Sequence, residues 1–188
     1  MNTSLEDAVR EMMQKISKNI RGTSKKVPVN VYITGGIAIH FHTAARVSKD
    51  LDAIIDQNIN IPSKLTVLWQ NENGEFEELA YDYNYSSTLG LMHEDYDRRA
   101  IFKFSIDDKL NVYILDPVDL IISKLSRFGE QDQEDIQRII QNDLVNKNQL
   151  EELANDAIKI ASAGRPETFK LHLALTLEMF DEITGNVQ

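Results

Sequence analysis

Apolar positions fall first at helical spacing, then in short runs, then at helical spacing again. Leu5, Ala8, Val9, Met12, Met13, Ile16 and Ile20 recur every three or four residues, which predicts an amphipathic helix. Ser4 stands where its N-cap belongs, Asp7 follows three residues on, and Gly22 marks the expected end. Val29 to Thr34, entered through Pro28, is the first expected strand. Gly36 to Ala45 reads as a short helix with Ile37, Ala38 and Phe41 inward. Asp50 to Asp56 reads as the second strand, and Leu65 to Trp69 as a third apolar run before the turn Asn71-Glu72-Asn73-Gly74. Between Glu75 and Asp97 the pattern is poor. Tyr81, Tyr83 and Tyr85 alternate there, as a strand or an aromatic-lined loop would have them.

Arg99 to Ile106 and Leu110 to Leu115 predict a hairpin turned by Asp107-Asp108-Lys109. Phe102, Phe104 and Ile106 fall on one of its faces, and Lys103, Ser105 and Asp107 on the other. From Asp116 onward the spacing is helical throughout. Asp116 is an expected N-cap, Pro117 opens the helix, and Val118, Ile121, Ile122, Leu125 and Phe128 make its stripe. Further helices are expected over Asp132 to Leu144, Asn148 to Ala161 and Thr168 to Ile183. The expected class is therefore α/β (α+β): a small mixed sheet flanked by helices, then a C-terminal helical bundle. Residues 1–115 form the α/β core with its N-terminal helix, and residues 116–188 a helical region packed on it.

Composition narrows the function. At 188 residues and 42% hydrophobic the chain can bury a real core. It holds no cysteine, which excludes disulfides, thiolate metal sites and a cysteine nucleophile. The N-terminal residues lack the basic and apolar regions of a signal peptide, and no apolar run approaches the length of a membrane span. A cytoplasmic protein with no membrane partner is expected. The net charge of −10 disfavours extended binding to duplex DNA.

The stretch carrying chemistry runs from Gly35-Gly36 to Asp50-Leu51-Asp52. A strand that ends in two glycines and turns into a helix offers free backbone N–H groups, which suit phosphate. Asp50 and Asp52, two apart on a strand, point to one face and can hold a hard cation. Arg46 stands before that strand, at the expected cleft mouth. His40 and His42 are two apart on a helix and do not make a metal pair by spacing. Lys124 flanks the stripe of the helix opened by Pro117, where it either extends outward or reaches along the core edge into a cleft.

This strand, Gly-Gly, helix and Asp-Leu-Asp order resembles the nucleotidyltransferase superfamily with the DNA polymerase β-like fold. Arg46-Val47-Ser48-Lys49-Asp50-Leu51-Asp52 is similar to the Arg-x-Thr/Ser-x-Asp-Leu-Asp form of its signature. Leu115 to Leu125, with Arg127, Asp132 and Asp135, resembles the tail of the AbiEii-like bacterial nucleotidyltransferases, which are often toxins of toxin–antitoxin or abortive-infection pairs. The resemblance implies Mg2+ (or Mn2+) on Asp50 and Asp52, and a nucleoside triphosphate bound by Gly35, Gly36, Ser48 and Lys124. It implies attack of an RNA or protein hydroxyl on the α-phosphorus, and a cognate antitoxin as partner. The superfamily's third carboxylate is absent from Leu110 to Leu115. Asn111, or Asp107 from the neighbouring strand, stands in its expected place. The alternative reading is a transferase fold that binds a nucleotide or partner protein without turnover.

Overall fold

A computed structural model of the chain describes residues 4–20, 28–44, 48–71, 73–85, 91–161 and 165–185. Helix α1 (Leu5–Asn19) is capped as its sequence requires: the Ser4 hydroxyl accepts the Asp7 N–H at 3.1 Å. Its stripe Leu5, Ala8, Val9, Met12, Met13 and Ile16 is buried. The expected stop at Gly22 lies outside the described residues. Strand β1 (Val29–Ile33) leads into α2 (Gly35–Thr43), which ends on Ala44 in the left-handed region.

The strand expected over Asp50 to Asp56 is two strands. Asp50–Leu51 (β2) and Ala53–Ile55 (β3) part at Asp52. The break has a topological cause, because the chain changes sheets there. β3 runs antiparallel to β1, whereas β2 pairs in parallel with β5 (Phe76–Tyr81), which in turn is antiparallel to β4 (Thr66–Gln70). The turn between β4 and β5 is held by the Asn71 side chain, which accepts N–H groups from Asn73 and Glu75. Of the alternating tyrosines, Tyr81 ends β5. Tyr83 accepts the Leu65 N–H and donates to the Pro62 carbonyl beyond the strand.

A short helix, α3 (Tyr96–Arg99), precedes the predicted hairpin of β6 (Ile101–Ile106) and β7 (Leu110–Ile114). Its turn places Asp107 and Asp108 at positive φ. The expected facing of β6 holds only in part. A register shift between Phe102 and Phe104 leaves Phe102 exposed while Phe104 and Ile106 are buried, because a bulge interrupts the alternation. The strands order as β3-β1-β7-β6 and β2-β5-β4, with β1 and β7 parallel.

After β7 the chain is helical: α4 (Pro117–Lys124), α5 (Glu130–Gln141), α6 (Lys147–Ile160) and α7 (Pro166–Gly185). The Asp116 side chain accepts the Val118 N–H at 2.9 Å, and Pro117 opens α4. Helix α4 stops before Phe128, which takes a positive φ ahead of Gly129. Because β1 and β7 are parallel, α2 and α4 start from the same end of the sheet. They pack on each other, and α2 also packs on α5. One buried apolar cluster runs from α1 through the strands to α7.

Candidate functional site

The carboxyl ends of β1, β2 and β5 converge, and a cleft opens there against α4. A crevice at strand carboxyl ends is where open α/β sheets usually take ligands. Its volume is about 280 Å³, and its lining includes Thr34, Gly35, Asp52, Asp82, Lys124 and Arg127. The sheet register sets the acids. Leu51 pairs with Tyr81, and the Asp82 N–H donates to the Leu51 carbonyl at 3.0 Å, so Asp52 and Asp82 leave two parallel strands side by side.

Gly35 has a φ of +60°, and a Cβ placed on it would stand 2.0 Å from Asp52 Oδ2. Only glycine lets the carboxylate lie against this backbone. Helix α2 has no acid in its first turn, and its N-cap residue Thr34 makes no side-chain capping bond. Thr34 instead hydrogen-bonds the Tyr85 hydroxyl. The first N–H groups of α2 therefore keep no partner inside the helix, which leaves a positive helix end at the cleft.

Burial, then the charges of Asp82 and Asp50, push the Asp52 carboxyl up to about 6, against the smaller opposing effect of Arg127 and Lys124. A partly buried carboxyl raised by burial and by two neighbouring carboxylates is an oxygen-donor set chemically suited to a hard divalent cation. Among the described residues, however, no group of three or more acidic or histidine side chains already stands close enough to hold one.

Opposite the acids, Lys124 is buried and lines the cleft. Its Nζ donates to Asp135 Oδ2 at 2.8 Å and to Asp132 Oδ1 at 3.4 Å. Arg127 grips both oxygens of Asp132, at 2.9 and 3.2 Å, although its side chain is 79% exposed. Burial alone would raise the Asp132 carboxyl, but the Arg127 bond and the charges of Lys124 and Arg127 outweigh it and hold it below the usual range. Asp132 and Asp135 thus fix two cations at the cleft wall, beyond the dipole effect that acids in a first helical turn supply.

The fold gathers Gly35, Asp52 and Lys124 into one cleft. Gly36 is buried in the first turn of α2. Asp50 is exposed outside the cleft, one step back on β2, and lines a neighbouring shallow groove. Ser48 lies before β2, where its hydroxyl donates to the Asp50 carbonyl at 3.1 Å. Arg46 lies outside the described residues. Neither expected third ligand is at the cleft. Asn111 pairs with Asn30 at the opposite end of β1 and donates to its side chain at 3.2 Å, and Asp107 sits in the turn of the same end. The acid that does stand beside Asp52 is Asp82. Its sequence signal, an apolar run ending in an acid at Leu79-Ala80-Tyr81-Asp82, lay in the stretch without clear periodicity. The histidine His42 serves structure: its Nε2 is 2.8 Å from the Leu115 carbonyl, and burial holds its pKa low.

Comparison with known proteins adds three findings. A solved structure of an antigenic nucleotidyltransferase-like protein from Paracoccidioides brasiliensis is similar at 13% identity and a TM-score of 0.48, over 98% of this chain and 94% of that one. No curated protein sequence matches the chain. Residues 7–180 match the family described as "Nucleotidyltransferase of unknown function (DUF6036)", and the chain belongs to that nucleotidyltransferase family.

Proposed function

We propose that the protein is a metal-dependent nucleotidyltransferase. The observation that carries this is the seating of the Asp52 carboxylate against Gly35, beside Asp82 and under the open N-terminus of α2. Asp52 and Asp50, with Asp82 as third acid, would hold Mg2+ or Mn2+, which would neutralise phosphate charge and orient the oxygens. The N–H groups of Gly35 and Gly36 receive phosphate oxygens of a nucleoside triphosphate. Lys124 and Arg127 face the same cleft and stabilise charge that builds on the leaving pyrophosphate. An acceptor hydroxyl forms a bond to the α-phosphorus, the bond to pyrophosphate breaks, and a neighbouring carboxylate takes the hydroxyl proton. Ser48 belongs to this reading as a support of the Asp50 backbone, since its hydroxyl bonds there.

The acceptor class within this reading is an RNA or protein hydroxyl. A toxin-like role, an AbiEii-like assignment, a cognate antitoxin and a cytoplasmic site of action rest on the resemblance of Arg46 to Asp52 and of Leu115 to Asp135. No helix among the described residues is long and apolar enough to cross a membrane. A second reading, a binding module without turnover, is favoured by one observation: the three acids do not converge into a metal-sized cluster.

The test is incubation with each of four α-labelled nucleoside triphosphates, magnesium, and total RNA or protein. Label transfer by the wild type and its loss in Asp52→Ala supports the enzyme. Absence of transfer from all four, with triphosphate binding intact, leaves the binding module.

A further inference from the structure

The sheet β2-β5-β4 has one covered face and one open face. Helix α1 packs on β4, and Val67 and Trp69 are buried while Leu68 between them is 63% exposed. On the open face, alternation aligns Asp52 and Asp50 of the β2 chain with Asp82, Ala80, Glu78 and Phe76 of the β5 chain. Register continues the rows: Asp50 beside Ala80 and Thr66, Glu78 beside Leu68, and Phe76 beside Gln70. Phe76 is 60% exposed. From Asp82 to Phe76 this track is roughly 20 Å long, at ~3.3 Å per residue.

A groove of about 370 Å³ runs along it, lined by Lys49, Asp50, Phe76, Glu77, Glu78 and Ala80. Glu77 accepts from the Asn71 amide at 2.8 Å, so Glu78 and Asp50 are the carboxylates that look out over the open face. The groove is thus acidic, with one lysine and one large apolar side chain, Phe76, and exposed Leu68 stands beside Glu78 on the same open face. It borders the candidate site, because Asp50 in the groove precedes the cleft residue Asp52 by two residues.

We propose that this open sheet face seats the acceptor, and that the acceptor is a basic, partly apolar polypeptide segment presenting a hydroxyl toward Asp50 and Asp52. This deepens the transferase reading and rests on it. Carboxylates along the track attract lysine or arginine, while Leu68 and Phe76 take apolar side chains between them. A polyphosphate backbone would meet like charge along the whole track. A second copy of this chain would do the same, since it carries a net charge of −10.

The experiment uses the full chain with magnesium and a non-hydrolysable triphosphate analogue. A fluorescein-labelled peptide of alternating lysine and leucine with one central serine is titrated by anisotropy, against an oligouridylate of equal length. Expected are saturable peptide binding and a weakening of about fivefold or more in both Glu78→Lys and Phe76→Ser. Glu151→Lys, an equal charge change on α6, stays within about twofold. Analogue binding, measured on the same samples, is unchanged in all three variants. Peptide binding indifferent to Glu78→Lys overturns the proposal. So does oligouridylate binding that Phe76→Ser weakens, or self-association in the ultracentrifuge that Phe76→Ser abolishes. Failure of the wild type to bind the analogue would instead refute the transferase reading, so the two failures are distinguishable.

Discussion

Gly35 and Asp52 stand so close that a single methyl group on Gly35 would lie 2.0 Å from the Asp52 carboxylate. The contact joins the two halves of the sequence signature in space. The backbone around it is tied as well, since the Thr34 N–H donates to the Asp52 carbonyl at 3.0 Å. The proposed phosphate seat and the acid are therefore tied into one corner.

Gly35→Ala should disturb that corner twice. The φ of +60° disfavours any Cβ, and the new methyl must displace the carboxylate. A stability loss of about 1–3 kcal/mol is expected, together with loss of triphosphate binding. Thermal unfolding and an analogue titration check both. Retained binding at a temperature where the variant is folded would break the link between Gly35 and phosphate.

Asp52 sets a pH dependence whose sign is opposite to that of an ion-paired acid. Its folded pKa of about 6 lies above the ordinary 3.8, so the folded state holds the extra proton. Stability from this group is full below the ordinary value and is lost as pH rises through about 6. Discounted for partial exposure, the loss is on the order of 1–2 kcal/mol. Asp52→Asn should remove it: the metal-free variant melts a few degrees above wild type at pH 7.5, while transfer activity disappears. A variant that melts lower at pH 7.5 than wild type would contradict the electrostatic account.

The cleft was partly legible in the sequence, for local reasons. Gly35, Asp52 and Lys124 could be found because each sits at a fixed offset within one element and its cap. The split of Asp50 to Asp56 into β2 and β3 could not, because it follows from pairing with β5 across residues that carry no periodicity. Asp82 was hidden for the same cause: its role comes from parallel pairing with Leu51, a partner some thirty residues away. Asn111 looked suitable by spacing, but β7 runs parallel to β1, and this puts its first residues at the far end of the sheet.

The Arg99–Asp119 pair is a structural anchor outside the cleft lining. Asp119 is fully buried, and both its oxygens accept from Arg99, at 2.7 and 2.8 Å. Arg99→Ala would strand the carboxylate, and a loss of about 3–5 kcal/mol is expected. Arg99→Ala with Asp119→Leu should recover much of it, since both charges are then gone. Denaturant unfolding of the two variants measures the difference. Equal destabilisation would mean that the pair does not carry the cost.

Lys124 answers to two acids, so its removal has a cost beyond the cleft. Lys124→Met leaves Asp132 with Arg127, whereas Asp135 loses the ammonium at 2.8 Å. Arg138 still stands 3.4 Å from Asp135, so the expected stability loss is about 1–3 kcal/mol, below that of a stranded buried charge. Lys124→Met with Asp135→Asn should regain stability without regaining triphosphate affinity, because the cation at the cleft wall stays absent. Recovery of both in the double variant would show that Lys124 acts on the fold alone.

Asp82 is the sharpest test of the site, because the register predicts its effect on a neighbour. After burial, its charge is the largest influence raising Asp52. Asp82→Asn should therefore move the Asp52 midpoint down from about 6 toward the ordinary carboxyl value. Carboxyl-carbon NMR titration reads this directly in the metal-free protein. If Asp82 also completes the acid set, transfer activity falls by about 100-fold or more while metal-free folding stays intact. Asn111→Ala and Asp107→Ala, at the far end of the sheet, should leave both readouts unchanged. A fixed Asp52 midpoint in Asp82→Asn would separate the two strand ends, and a large activity loss in Asn111→Ala would return the third acid's place to β7.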